Sequence, residues 1–250
     1  MGAAEAVAIF AAGGAAGTVN TIVGSGTLIT FPVLLAFGYA PVTANVSNTI
    51  GLVPGSISGA HGYRAELAGQ RPRAVAYGIA SVAGGIAGAI LLLALPASAF
   101  KAIVPGFIAA ALVLVLVQPA LTRRLAGRHA QARRLQRALP AALFAVGVYG
   151  GYFGAAQGIL ILALLGLALS DPLQRANALK NVLAGATNLV AGLVFLIAAS
   201  HVSWTAAGLI AAGSILGGQA GARIGRRLPA PVFRILVVAV GIVAVVKLVL

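Results

Sequence analysis

Read along the chain, apolar residues come in long runs broken by short polar stretches. The runs cover roughly 4–22, 27–38, 44–62, 74–95, 102–120, 138–153, 158–169, 177–198, 203–222 and 233–250. A helix needs about 20 apolar residues to cross the hydrocarbon core of a bilayer, and most of these runs reach or approach that length. Two pairs do not fit the rule. Runs 4–22 and 27–38 are separated only by Gly24-Ser25-Gly26, and runs 138–153 and 158–169 only by residues 154–158, GAAQG. Each pair therefore predicts a broken or re-entrant helix.

Composition agrees with the pattern. Of 250 residues, 60% are hydrophobic and 8% charged, against about a quarter charged in a soluble domain, and mean hydropathy is +1.04. The expectation is a polytopic all-α membrane protein with no separate soluble domain. Residues 1–14 lack a basic n-region and carry Glu5, so they read as the first membrane segment and not as a cleaved signal. There is no cysteine, which excludes disulfides and thiolate chemistry.

The net charge of +14 reads as membrane topology, and no nucleic-acid partner is expected. Placing loop 64–73 in the cytoplasm and counting crossings puts 15 of the 17 Lys and Arg residues inside, with only Lys101 and Lys247 outside. Cytoplasmic loops of membrane proteins carry this excess. The assignment leaves both termini outside, in an inner (plasma) membrane, and sets anionic headgroups against the arginine-rich loops.

The chain also repeats itself. A shift of 133 lays residues 81–101 on 214–234 with ten of 21 positions identical, among them Ser81/Ser214, Gly84/Gly217, Pro96/Pro229 and Phe100/Phe233. A shift of 132 lays 44–49 on 176–181, and one of 130 lays Gly24 on Gly154. Matched loops differ in charge: 64–73 holds three Arg, while 199–204 holds none. The expectation is two inverted repeats, 1–120 and 138–250, joined by a basic cytoplasmic linker 121–137. Each would hold a broken hairpin and three spanning helices.

Inverted repeats with discontinuous helices belong to secondary transporters, whose site lies at the breaks. Half-helix N-termini suit an anion. The substrate-binding candidates are Asn20, Gly24, Ser25, Gly26, Asn45, Asn48 and Thr49 in the first half. In the second they are Gln157, Gly158, Asn177, Lys180 and Asn181. Asn45, Asn48 and Thr49 share a helical face at i, i+3 and i+4, and Asn177, Lys180 and Asn181 repeat the spacing. Membrane amides are either interhelical glue or ligands. Lys180 either faces the cavity or snorkels to the surface. The glycines of GGIAGA (84–89) and GGQAGA (217–222) read as helix packing.

The acids, Glu5, Glu66 and Asp171, all lie near segment ends, which leaves no carboxylate for a mid-membrane proton relay or sodium site. No His/Cys cluster, nucleotide motif or paired acids appear, so neither catalysis, a metal nor a cofactor is expected.

Residues 17–59, GTVNTIVGSGTLITFPVLLAFGYAPVTANVSNTIGLVPGSISG, resemble the signature of the TauE/SafE family of sulfite exporters. Residues 147–167 and 176–185 resemble that family's second repeat. The motif covers Asn20, Gly24, Ser25, Gly26, Pro32, Asn45 and Asn48, then Gly150, Gly154, Gln157, Gly158, Asn177, Lys180 and Asn181; Thr27 stands where the family has a third glycine. The resemblance implies a bacterial inner-membrane permease exporting sulfite, sulfoacetate or related sulfur-containing anions. A channel-like anion pore and a membrane scaffold that binds partner helices are the rival readings, and homodimer formation is left open by the residues.

Overall fold

The computed structural model describes residues 1–100, 132–169 and 171–225, with scattered positions between 102 and 120. Eight helices have described bounds: α1 (Ala3–Ile22), α2 (Thr27–Ala36), α3 (Pro41–Gly62), α4 (Arg71–Ala94), α5 (Ala132–Tyr152), α6 (Gln157–Ala168), α7 (Leu173–Ala198) and α8 (Trp204–Ile224); residues 97–100 are helical as well. No strand occurs among the described residues. Run 233–250 and most of run 102–120, the expected third spanning helix of each half, lie outside them, as do residues 121–131 of the expected linker.

Helices α3, α4, α5 and α7 start three to six residues before their apolar runs because polar and proline residues form the first turns. Pro41 opens α3, Pro72 sits in the first turn of α4, and Pro172 precedes α7, where a missing N–H costs nothing. Ser203 caps α8 by accepting from the Ala206 N–H at 3.4 Å. Helix α5 begins at Ala132, inside the segment expected as linker. The short helices α2 and α6 have 10 and 12 residues, or about 15 and 18 Å of rise, half the thickness of a hydrocarbon core.

Helix α1 packs on α8 and α4 on α5; α8 also packs on α3, and α4 on α7. α3 and α7 pack against each other, α2 rests on α1 and α3, and α6 rests on α5 and α7. Exchanging α1–α4 with α5–α8 returns these same pairings.

The glycine stripes repeat the exchange contact by contact. A methyl on Gly84 would overlap the Phe144 carbonyl of α5, and one on Gly88 the Val148 carbonyl. At the matched places, Gly217 meets the Gly14 carbonyl of α1 and Gly221 the Thr18 carbonyl. Small residues let helix backbones approach this closely where no hydrophobic force drives them together, as the spacing predicts. The outer faces are apolar instead: Ile79, Ile90, Leu193, Ile197 and Leu216 are all exposed. Exposed apolar side chains of this kind suit a surface that meets lipid.

The two ends of the bundle differ chemically. At one, Arg73 pairs with Asp171 at 2.6 Å, Gln70 donates to the Arg175 carbonyl at 3.0 Å, and Arg175 donates to the Ala68 carbonyl at 3.1 Å. Gln136, beside Arg137, reaches the Ala168 carbonyl there at 3.0 Å. At the other, Tyr39 donates to Glu5 at 3.1 Å and the Ser203 N–H donates to the Ser47 hydroxyl at 2.9 Å. Burial raises the Tyr39 phenol, a shift opposed by its contact with Ser203 and reinforced by Glu5. The basic loops thus collect at one end, away from Glu5.

Candidate functional site

Both breaks form at glycines that adopt a left-handed backbone. Gly24 has φ 88° and Gly154 φ 75°, and Ala156 follows at φ 60°. A side chain disfavours that region, so the glycines permit the chain to leave α1 and α5 abruptly and re-enter a helix within a few residues. The breaks then touch. The Gly158 N–H donates to the Gly24 carbonyl at 3.0 Å, and a methyl on either glycine would overlap the other's backbone. Thr27, where a third glycine was expected, is the first residue of α2, in ordinary helical backbone, and uses its hydroxyl as an acceptor for Asn48.

A broken helix leaves N–H groups orphaned at one cut end and carbonyls at the other. Neither α2 nor α6 has a side-chain cap at its start. The N–H groups of Ser25, Gly26, Ala155 and Ala156 have no acceptor among the described residues, although all four residues are buried. Beside them, Ser25 Oγ and Gln157 Nε2 are buried and unpartnered, as are Asn45 Oδ1 and Asn177 Oδ1. Buried polar atoms without partners are rare, and here four of them border the matched breaks.

The orphaned carbonyls are covered from the opposite half. At the end of α1, Lys180 Nζ donates to the carbonyls of Asn20 at 2.9 Å and Thr21 at 3.2 Å. Asn177 and Asn181 add their amides to the Thr21 carbonyl at 3.2 and 3.1 Å. At the end of α5, Asn45 donates to the Tyr152 carbonyl at 2.9 Å. Positively polarised donors suit the negative end of a helix. Lys180 is 0% exposed; it does not snorkel.

The remaining candidates divide. Asn48 tethers α2 of its own half, donating to Thr27 at 3.3 Å and accepting from Thr30. Thr49 bonds back to the Asn45 carbonyl at 2.9 Å. Asn20 is half-buried and donates to Ser56 at 3.4 Å. The structure thus places Gly24, Ser25, Gly26, Gln157 and Gly158 in the breaks and Asn20, Asn45, Asn48, Asn177, Lys180 and Asn181 against the helices that flank them, while Thr49 bonds within α3; the amides of Asn45, Asn177 and Asn181 are spent on capping.

Sequence reasoning overlooked several neighbours. Thr27 and Thr30 hold Asn48, and Tyr149 donates to the Ala155 carbonyl within the second break. Phe31 of α2 meets Phe153 of the second break edge to face at 5.1 Å, with Phe100 at 6.3 Å from Phe31. Thr27 and Thr30 carried a signal, hydroxyls three apart in an apolar run; the phenylalanines carried none, since any membrane helix holds them.

Two cavities, of about 340 and 490 Å³, lie at the arginine-poor end; they share Thr43, Ala199, Ser200 and His201, and Tyr39 and Trp204 line the smaller. No group of three or more metal-ligating residues occurs among the described residues.

The family model described as Sulfite exporter TauE/SafE matches residues 9–248. The chain is 29% identical over 217 residues to the probable membrane transporter protein YfcA of Escherichia coli K12, covering 84% of this chain and 76% of that one. It is 29% identical over 224 residues to a probable membrane transporter protein of Haemophilus influenzae, covering 86% and 83%. Over 245 residues it is 29% identical to probable membrane transporter protein ORF9 of a Sinorhizobium species, covering 96% and 90%. No solved structure matches.

Proposed function

Because the chain belongs to the TauE/SafE sulfite exporter family of membrane transporters, we propose that it exports a small sulfur-containing oxyanion, sulfite or an organosulfonate, across the bacterial inner membrane. Transport proceeds by alternating access between two inverted halves, 1–120 and 138–250, joined by the cytoplasmic linker 121–137. The exchange of helix pairings between α1–α4 and α5–α8 supports that division. The gathering of Arg64, Arg73, Arg137 and Arg175 toward one end supports a cytoplasmic assignment for it. That leaves the N-terminus outside and the cavities at His201 on the exit side. Anionic lipid headgroups would meet the arginine-rich loops.

One observation carries the reading. Two uncapped helix starts, with the N–H groups of four buried residues lacking an acceptor among the described residues, meet at Gly24 and Gly158 beside Ser25 Oγ and Gln157 Nε2, which likewise have no partner among them. The N–H groups and Gln157 Nε2 are donors and the Ser25 hydroxyl can donate, beside the two acceptors Asn45 Oδ1 and Asn177 Oδ1; donors at helix N-termini favour an anion. Asn20, Ser25, Gly26, Asn48 and Gln157 would line the bound anion, with Lys180, Asn177 and Asn181 behind it. Separation of the breaks on substrate entry would make room for it.

The test is flux into and out of liposomes carrying the purified protein. The panel is sulfite, sulfate, thiosulfate, sulfoacetate and taurine. Saturable sulfite or sulfonate flux, stimulated by the same anion on the far side, is expected. The variants Ser25→Ala, Gln157→Ala and Asn48→Ala should each lower it while folding normally. Flux without stimulation by a counter-substrate would indicate a pore. Unchanged flux in all three variants would remove the breaks from the site.

A further inference from the structure

A helix cut inside a membrane presents its last carbonyls with nothing to bond, and their dipoles sum to a partial negative charge there. Inverted-repeat transporters commonly satisfy such ends with a coupling sodium ion or proton. At the end of α1 the carbonyls of Asn20 and Thr21 converge on Lys180 Nζ at 2.9 and 3.2 Å, and Lys180 is wholly buried. The Thr21 carbonyl takes three donors, Lys180, Asn177 and Asn181, although a carbonyl offers two lone pairs. That crowding marks a strongly negative spot.

No carboxylate shares it. Of the three acids, Asp171 is paired with Arg73, Glu5 with Tyr39 at the other end, and Glu66 lies in the turn after α3. At the matched end of α5 the Tyr152 carbonyl accepts from Asn45, and Asn48, at the position matching Lys180, bonds α2. Lys180 also lies against the contact of the two breaks, since a methyl on Gly158 would sit 3.0 Å from Lys180 Cδ.

We infer that the broken end of α1 is a monovalent-cation site that this chain fills with its own Lys180 side chain, a tethered replacement for a coupling ion. The carrier therefore needs no sodium or potassium to bind and move its anion. Two of the three ammonium protons go to the α1 carbonyls. The inference rests on the transport reading above for its consequence in flux, and on geometry alone for the site.

The experiment has two arms, both on the full-length protein. In liposomes, wild-type sulfite flux should be equal in sodium, potassium and choline salts. Lys180→Ala should lose flux roughly tenfold or more in choline, the scale of a lost charged hydrogen bond, and regain part of it in Na⁺, Li⁺ or methylammonium. In detergent, the melting temperature of Lys180→Ala should rise with added Na⁺, Li⁺ or methylammonium, whereas the wild type should not respond. Lys180→Gln, which keeps one donor, serves both arms where the alanine variant does not fold. A sodium requirement in the wild type, or variants indifferent to every cation in the melting arm, overturns the inference. A wild type that moves none of the anions defeats the transport reading instead, and the melting arm still decides the cation site.

Discussion

At the end of α1 three donors from α7, one of them Lys180, converge on two carbonyls, whereas at the end of α5 the amide of Asn45 on α3 reaches the Tyr152 carbonyl. The two ends arise from the same device: a glycine with positive φ, a few irregular residues, then a short helix with an uncapped start. Their backbones carry the same unmet need, answered at the first by a buried lysine with two amides and at the second by an amide. Approximate symmetry therefore builds the frame, and departures from it place the chemistry. A symmetric pair of lysines would put two like charges close together in a low-dielectric site, at a cost of several kcal/mol per unpaired ion.

The comparison can be broken most severely at the crossing. Gly24→Ala has to overcome both the left-handed backbone, roughly 1–2 kcal/mol, and overlap with Gly158. Gly158→Ala meets only the overlap, roughly 1–3 kcal/mol as overpacking. Thermal melts in detergent should rank Gly24→Ala below Gly158→Ala, and both well below wild type.

Next come the caps. Lys180→Met strips both α1 carbonyls of a donor and should cost roughly 2–3 kcal/mol, while Asn45→Leu strips one neutral bond at about 1 kcal/mol. Equal losses, or a larger one for Asn45, would show that the charge adds nothing to the first end.

The glycine stripes sharpen the symmetric side of the comparison. Gly84→Ala and Gly217→Ala meet matched carbonyls, Phe144 and Gly14, so their melts should fall by similar amounts, roughly 1–3 kcal/mol each. A large difference would mean that the α4–α5 and α1–α8 contacts are not equivalent. Smallest is Arg73→Ala, which removes a partly exposed ion pair with Asp171. A shift under about 1 kcal/mol is expected for such a pair.

Much of this was legible along the chain. The runs located the described helices to within a few residues at most ends. The largest misses fell at N-termini such as Leu173 and Ala132, because the first turn of a helix tolerates polar residues and proline that an apolar count discards. Gly24 and Gly154 stood out because a left-handed residue inside an oily run has few substitutes. Lys180, Asn177 and Asn181 do reach the end of α1, and Asn45 the end of α5, since polarity inside a membrane is costly enough to be placed with purpose. What stayed hidden was direction. Asn48 and Lys180 occupy matched positions, yet one bonds its own half and the other crosses to α1, and spacing along a helix carries no record of which neighbour lies across from it.

Periodicity and polarity alone thus determined that this is an all-helical membrane protein, where its helices break, and which side chains lie near the breaks. The bilayer cannot hydrate stray polar groups, so such features must show in the order of residues. Only the tertiary structure decided that the breaks touch at Gly24 and Gly158, that the carbonyls of α1 are covered by α7, and that Lys180 is buried among them. Those contacts join residues more than a hundred positions apart, and their geometry exists only once the helices that carry them have packed together.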